Sequence, residues 1–467
     1  MGMRIGYHLK RIKDGLSSIV LARDFFSREQ WTFQELVSFQ HQRLQSIVKH
    51  AVIHSEFYRD LYSHIDPYKP FLLEQLPVLD KKTLMDNFDR VVTDPLLKLP
   101  EVEDHLTHLK RDEYYLGKYR VLSTGGSSGL TGIFVYSRKE WVTILAAMQR
   151  MGRYMDLGPR LPNRLKISTI GAHHPRHGTS RVPESMDFGL AILQRLEAMD
   201  SIDNLTTYLN AFQPEVLFAY PSIGALLALE QIDGHLRISP RVVVTSAEVC
   251  TDDMKQKMQS AWGITPFNTY AMTEIPFFST NCSLDRGIHI FEDLAILEVV
   301  DEHNRHVPDG ELGHKILITN LFSYTQPLIR YEITDMLRMS KEPCPCGRPF
   351  RLVEHIEGRC DDILELEGIY STFKRIHPIA FRSSLGVIHE LRQYQVVHEK
   401  DGLHFNLVPR EGKDKETLAS KVEYIMKKKL ETLEVKCPPI YIHFVDQIER
   451  DQNQIGKVKL IKKIIHN

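Results

Sequence analysis

Residues 119–136 read Tyr-Arg-Val-Leu-Ser-Thr-Gly-Gly-Ser-Ser-Gly-Leu-Thr-Gly-Ile-Phe-Val-Tyr. Positions 123–132 hold four glycines and five hydroxyl side chains. Glycines let a backbone approach a ligand closely, successive N–H groups form an anion-binding concavity, and hydroxyls add donors without bulk. The stretch therefore reads as a phosphate-binding loop between two β-strands. No Gly-Lys-Ser/Thr tripeptide opens a helix there, and no Gly-x-Gly-x-x-Gly occurs in it, so neither a Walker A loop nor a dinucleotide fingerprint is present. A flexible surface turn is the other reading of this composition.

Outward from the loop, short β-branched runs alternate with helical stretches up to about residue 300. They include 165–170 (Leu-Lys-Ile-Ser-Thr-Ile), 216–220 (Val-Leu-Phe-Ala-Tyr) and 241–245 (Arg-Val-Val-Val-Thr). Runs of this kind are buried on both faces, which predicts a layered α/β domain. The first hundred residues are helical in pattern: Ser27 with Gln30 forms a capping-box signature, and Leu44, Ile47, Val48 and Ala51 repeat at helical spacing. After residue 360 the texture changes. Two alternating runs flank Lys400-Asp401-Gly402, a hairpin signal, and a helical stripe of Leu418, Val422, Ile425, Met426 and Leu430 follows. With the strand at 440–445 this predicts a small C-terminal α+β domain, 361–467, joined by a hinge to a large N-terminal α/β domain, 1–360. The polar stretch ending at Gly456-Lys457 reads as an exposed loop.

Lysines and arginines nearly balance the carboxylates, giving a net charge of −1, so no basic field argues for nucleic acid. The apolar runs fall short of a bilayer span, and the N-terminal apolar block at 19–22 is short for a signal peptide. Six scattered cysteines do not make a disulfide framework, and the expected setting is cytoplasmic.

Five segments carry the chemistry, in this order: the glycine loop; Ser246-Ala247-Glu248; Tyr270-Ala271-Met272-Thr273-Glu274; Arg330-Tyr331-Glu332-Ile333-Thr334-Asp335; and Gly358-Arg359-Cys360-Asp361-Asp362, with Lys457 near the end. Together they resemble the adenylate-forming superfamily, in particular its phenylacetate–CoA ligase branch. The resemblance implies that Ser123, Thr124, Gly125, Gly126, Ser127, Ser128 and Gly129 hold phosphate. Ser246, Ala247, Glu248, Tyr270, Ala271 and Met272 would line the adenine pocket. It implies that Thr273 contacts the α-phosphate, Glu274 holds Mg²⁺, and Asp335 binds the ribose hydroxyls. Arg359 would sit near ribose and phosphate, Asp361 would be the hinge, and Lys457 the catalytic lysine. The sequence departs from the family pattern at Leu130-Thr131, where Lys-Pro is usual, and at Ile333-Thr334, where Thr-Gly is usual. An Arg330–Asp335 ion pair and an ordinary solvated face for Lys457 are the structural alternatives.

Cys344 and Cys346, one residue apart, are poorly placed to bridge each other but can ligate one metal ion. With Cys282 and His289 they match an arrangement of the same branch, which implies structural zinc; a tight Pro-Cys turn is the alternative. The acid would lie at the carboxyl ends of strands, near His173, His174, Tyr220, Ser222 and Ala271. The implied reaction attacks Mg·ATP with a carboxylate, aryl or arylacetic in this branch, giving an acyl-adenylate and pyrophosphate. A thiol, CoA first, then takes the acyl group and releases AMP. Rival readings are transfer to a carrier-protein thiol or an amine, and a non-catalytic nucleotide-binding relative. Expected partners are the small-molecule acid, ATP, and CoA or a carrier protein, without nucleic acid or a membrane span. A homodimer is left open.

Overall fold

A computed structural model describes residues 2–124, 130–158, 164–172, 174–187, 189, 191–370, 372–386, 388–450 and 457–464, with side chains except those of 2–8, 361 and 383. Two long helices, Gly2–Arg28 and Phe33–His54, open the chain. The second buries Leu36, Leu44, Ile47, Val48 and Ala51 along one stripe. Its capping box is Thr32 with Glu35, not Ser27 with Gln30. Ser27 instead lies in the last turn of the first helix, which continues because Ala22 and Phe25 keep packing into the core.

The glycine loop is carried by an antiparallel hairpin of β1 (Tyr119–Ser123) and β2 (Ile133–Ser137), paired Leu122 with Phe134 and Ser123 with Ile133. Both strands are buried, so the loop's base stands inside the protein. A five-stranded parallel sheet follows: β3 (Leu165–Gly171), β4 (Ala191–Glu197), β5 (Val216–Ala219), β6 (Val242–Ser246) and β7 (Phe267–Thr269), in the order β4-β3-β5-β6-β7. Its β-branched central strands are shielded on one face by the helices Pro221–Ile232 and Asp252–Trp262, around Ile170, Leu217 and Val243. Val216 and Val242 belong to the large core on the other face, with the helix Arg138–Tyr154.

A second core of Leu364, Phe381, Val396, Phe405, Leu407, Val422 and Met426 lies in the C-terminal part. It sits between the helix Lys415–Thr432 and a four-stranded sheet. In that sheet the hairpin Leu391–Glu399 and Gly402–Pro409 is flanked by the parallel strands Ile440–Phe444 and Ile461–Lys463. The architecture is thus α/β with a large and a small part, as the sequence pattern predicts. Among the described residues no helix is long and apolar enough to cross a membrane.

A buried ionic knot fixes the hairpin to the rest. Asp112 pairs with Arg120 of β1 and with Arg181 of the helix Gly178–Ser185, and all three side chains are essentially inaccessible. The Ser185 hydroxyl donates to Asp112 at 2.8 Å, Trp141 Nε1 donates to Ser185 at 3.0 Å, and Arg181 donates to the Val121 carbonyl at 2.7 Å. Removing one partner of such a cluster strands the remaining charges without water. Asp112→Ala is expected to cost about 3–5 kcal/mol, read as a lowered denaturant midpoint; a loss below about 1 kcal/mol contradicts this role.

Candidate active site

Between β3 and β5 the strand order reverses, and open parallel sheets bind ligands beyond the carboxyl ends of their strands at such a point. A cavity of about 1320 Å³ opens there. The hydroxyl of Tyr220, one residue past β5, accepts the N–H of Ala172, one residue past β3, at 3.2 Å. The segments beyond the next two strands, Ser246-Ala247-Glu248 and Tyr270 to Glu274, extend the same wall.

Each wall segment is held from behind. The Tyr136 hydroxyl reaches the carbonyl oxygens of Thr273 and Glu274 at 2.7 and 2.9 Å, and Asn320 Nδ2 donates to the Glu274 carbonyl at 3.2 Å. Glu274 is itself buried, and burial pushes its carboxyl pKa upward. No ion pair engages it among the described residues. The Tyr270 hydroxyl donates to Asp335 Oδ2 at 2.7 Å, and Arg359 Nε donates to Asp335 Oδ1 at 3.3 Å. Arg330 does not pair with Asp335: it bonds Glu298 at 3.0 Å and the Leu76 carbonyl at 2.8 Å. At the loop's base, Thr124 and Gly132 exchange two bonds, of 2.8 and 2.9 Å, and Thr124 faces the cavity. Ser123 is buried in β1, outside the cavity wall.

The small domain contributes Lys457. Far from exposed, it lies half-buried in the cavity wall, and burial, reinforced by Arg359, holds its ammonium pKa below the ordinary lysine value. Its position follows from two anchors. Ile461 pairs in parallel with Val396, and the Val458 N–H donates to Glu248 Oε1 at 2.9 Å. The other oxygen of Glu248 accepts the Ser222 N–H at 3.1 Å. Lys459 pairs with Asp362 at 2.6 Å, across the segment that joins the two parts.

Some expected residues fall elsewhere. Ser222 lies outside this wall, at the cleft between the two parts, because its backbone starts the helix that Glu248 caps. His174 also lies outside the wall, turned toward Arg176 at 3.2 Å. His177, which carries no sequence signal, lines the cavity instead. It bonds the Ser123 carbonyl at 3.2 Å, and burial lowers its pKa to about 4, so the imidazole is neutral. Gly125 to Gly129, His173, Gly456 and the Asp361 side chain lie outside the described residues.

Away from the cavity, Cys282, His289, Cys344 and Cys346 bring their ligand atoms within 4.8 Å of one another. Cys282 and Cys344 sulfurs are 3.7 Å apart, and Cys346 Sγ lies 3.5 Å from His289 Nε2. His289 Nδ1 faces the Phe350 carbonyl at 3.2 Å, leaving Nε2 toward the thiols.

Comparisons extend the motif resemblance along most of the chain. A phenylacetate-coenzyme A ligase of Thermus thermophilus is 25% identical over 383 residues, 79% of each chain. One of Escherichia coli is 26% identical over 366 residues, 73% of this chain and 75% of its own. No protein-family model matches. Among solved structures, 2-hydroxyisobutyryl-CoA ligase in the postadenylation state shares the fold, with TM-score 0.72 and 19% identity over 94% of this chain and 91% of that one. The same ligase in the thioesterification state scores 0.56, over 93% and 91%.

If Glu248 is what holds Val458, Glu248→Ala should raise hydrogen exchange at the Val458 amide at least tenfold while leaving Val243 in β6 unchanged. Unchanged protection at Val458 contradicts the clamp.

Proposed function

We propose that this chain is an AMP-forming acid–thiol ligase, with CoA as the acceptor. The observation that supports it is convergence: Thr124, Thr273, Glu274, Asp335, Arg359 and Lys457, spread over more than three hundred positions, line one cavity at the switch point of a parallel sheet. In this reading the glycine loop and Thr124 hold the β- and γ-phosphates of ATP, and Thr273 the α-phosphate. Asp335, steadied by Tyr270, accepts the ribose hydroxyls, since one carboxylate can take two hydrogen bonds. Ser246, Ala247 and Met272 border the base.

A carboxylate oxygen of the acid attacks the α-phosphorus, and the bond to the bridging oxygen of pyrophosphate breaks. The products of this step are an acyl-adenylate and pyrophosphate. The Lys457 ammonium and Arg359 face the charge that builds on the α-phosphate and carboxylate oxygens. Glu274, a buried carboxylate with no paired cation among the described residues, fits Mg²⁺, which would neutralise phosphate charge there. With Leu130-Thr131 in place of Lys-Pro, the loop brings no ammonium of its own, so backbone N–H groups carry more of that task. In the second step the CoA thiol attacks the acyl carbon, AMP leaves, and the thiol proton passes to solvent. A carrier-protein thiol would attack the same anhydride.

The domain boundary at 360/361, with Asp361 as hinge, belongs to this reading, because Lys457 must leave before the thiol can enter. The cytoplasm supplies both co-substrates and keeps thiols reduced. The Cys₃His set fits a closed tetrahedral zinc site, which leaves no position for substrate and so acts on stability alone.

The test separates the half-reactions. Lys457→Ala should lower acid-dependent exchange of labelled pyrophosphate into ATP by about 10²–10³-fold, the usual cost of a lost charge-stabilising donor. Transfer from supplied acyl-adenylate to CoA should change much less. Exchange that survives intact rejects the lysine's role, and no exchange with any acid rejects the ligase reading. For the metal, the purified protein should carry one zinc per chain, lost in Cys344→Ser together with thermal stability. A metal-free protein of unchanged melting temperature overturns that site.

A further inference from the structure

The acid-binding side of the cavity runs further than an arylacetate needs. It passes from the strand ends at Gly171 and Ala172 back along the sheet, between the face carrying Ile167, Leu193 and Phe218 and the layer carrying Met148, Met151 and Met186. Parallel strands of this kind are normally covered on both faces. On the far face of the same sheet Ile170, Leu217 and Val243 are 3%, 0% and 0% exposed. On the near face Ile167 and Phe218, on the central strands β3 and β5, are only half-buried, and both border the cavity. The helical layer therefore stands off the sheet here. Folded interiors close such gaps to crystal-like density, so a channel walled by these six apolar side chains, with Thr169 between Ile167 and Gly171 on the same face, is built for an occupant.

Its length can be read from the strand. Gly171 to Ile167 spans four residues of β3, about 13 Å at the rise of a β-strand. A fully extended chain advances about 3.3–3.6 Å per three bonds, so the channel accepts about eleven bonds beyond the reacting carboxylate. An arylacetate fills only the near half. Asp156, exposed and bordering the same cavity, supplies a polar rim that a buried tail would not cross, while Arg195, paired with Thr169, flanks the channel at mid-length.

We infer that the acid this site takes is one with an extended apolar tail, a linear medium-chain fatty acid of about ten to twelve carbons, lodged between the β3–β4–β5 face and the Met148–Met151 turn. The inference rests on the ligase reading above and names its substrate class. Binding energy should grow with each methylene that leaves water, about threefold to fourfold in kcat/KM per CH₂, until the channel is full.

The experiment measures pyrophosphate exchange with acetate, butyrate, hexanoate, octanoate, decanoate, dodecanoate, palmitate and phenylacetate. The expected result is a rise to decanoate or dodecanoate, which outdo phenylacetate, and no further gain at palmitate. Ile167→Trp, and independently Met148→Trp from the opposite wall, should each lower the decanoate-to-butyrate ratio at least tenfold in protein that still binds ATP. Exchange that favours phenylacetate, or is indifferent to chain length, overturns this inference alone. No exchange with any of these acids overturns the ligase reading and this inference with it.

Discussion

One carboxylate decides whether the site is assembled. Glu248 ends the segment after β6, and its two oxygens accept backbone N–H groups from the two parts of the molecule, Ser222 at 3.1 Å and Val458 at 2.9 Å. Val458 follows Lys457 directly, so the bond sets where the ammonium stands. Hydrogen bonds to a charged group contribute about 1.5–3 kcal/mol each. That is enough to favour this arrangement of the two parts over one in which Glu248 and Val458 are apart. Arg392 pairs with Glu230 across the same interface, a contact of the same polar kind.

The rest of the site is a consequence of sheet topology. Because β4 lies on one side of β3 and β5 on the other, the loops after β3 and β5 diverge and leave a crevice. The segments after β6 and β7 prolong its wall. Buried groups then fix the details: the Asp112 knot holds the hairpin that carries the glycine loop, and Tyr136 and Asn320 hold the carbonyls of 273–274. The same stand-off between sheet and helices that opens the crevice continues along the sheet as the apolar channel.

What could be read from the sequence followed physical locality. β5 and β6 were legible because strands of a covered parallel sheet are near-continuous apolar runs, β3 because of its β-branched Ile167, Thr169 and Ile170, and the hairpin at 400–402 because its turn residues are local. The clustered motifs were legible because each is contiguous. The helix start was misplaced because Ser27-x-x-Gln30 and Thr32-x-x-Glu35 are both capping signatures, and only packing of Ala22 and Phe25 carries the first helix past Ser27. Lys457 looked exposed because its neighbours are polar, whereas its burial comes from the other domain. His177 gave no signal, since a histidine beside a helix start becomes a wall residue only once β1 packs beneath it. The partner of Arg330 was equally hidden, Glu298 lying two strands across the sheet and far away in sequence.

The central claim is that this cavity joins a carboxylate oxygen to the α-phosphorus of ATP. Running the complete reaction with acid labelled with ¹⁸O in both carboxylate oxygens tests it most directly. The account predicts one ¹⁸O in the phosphate of the AMP released, and one left in the acyl product. Label found in inorganic phosphate, or AMP free of label, would contradict it.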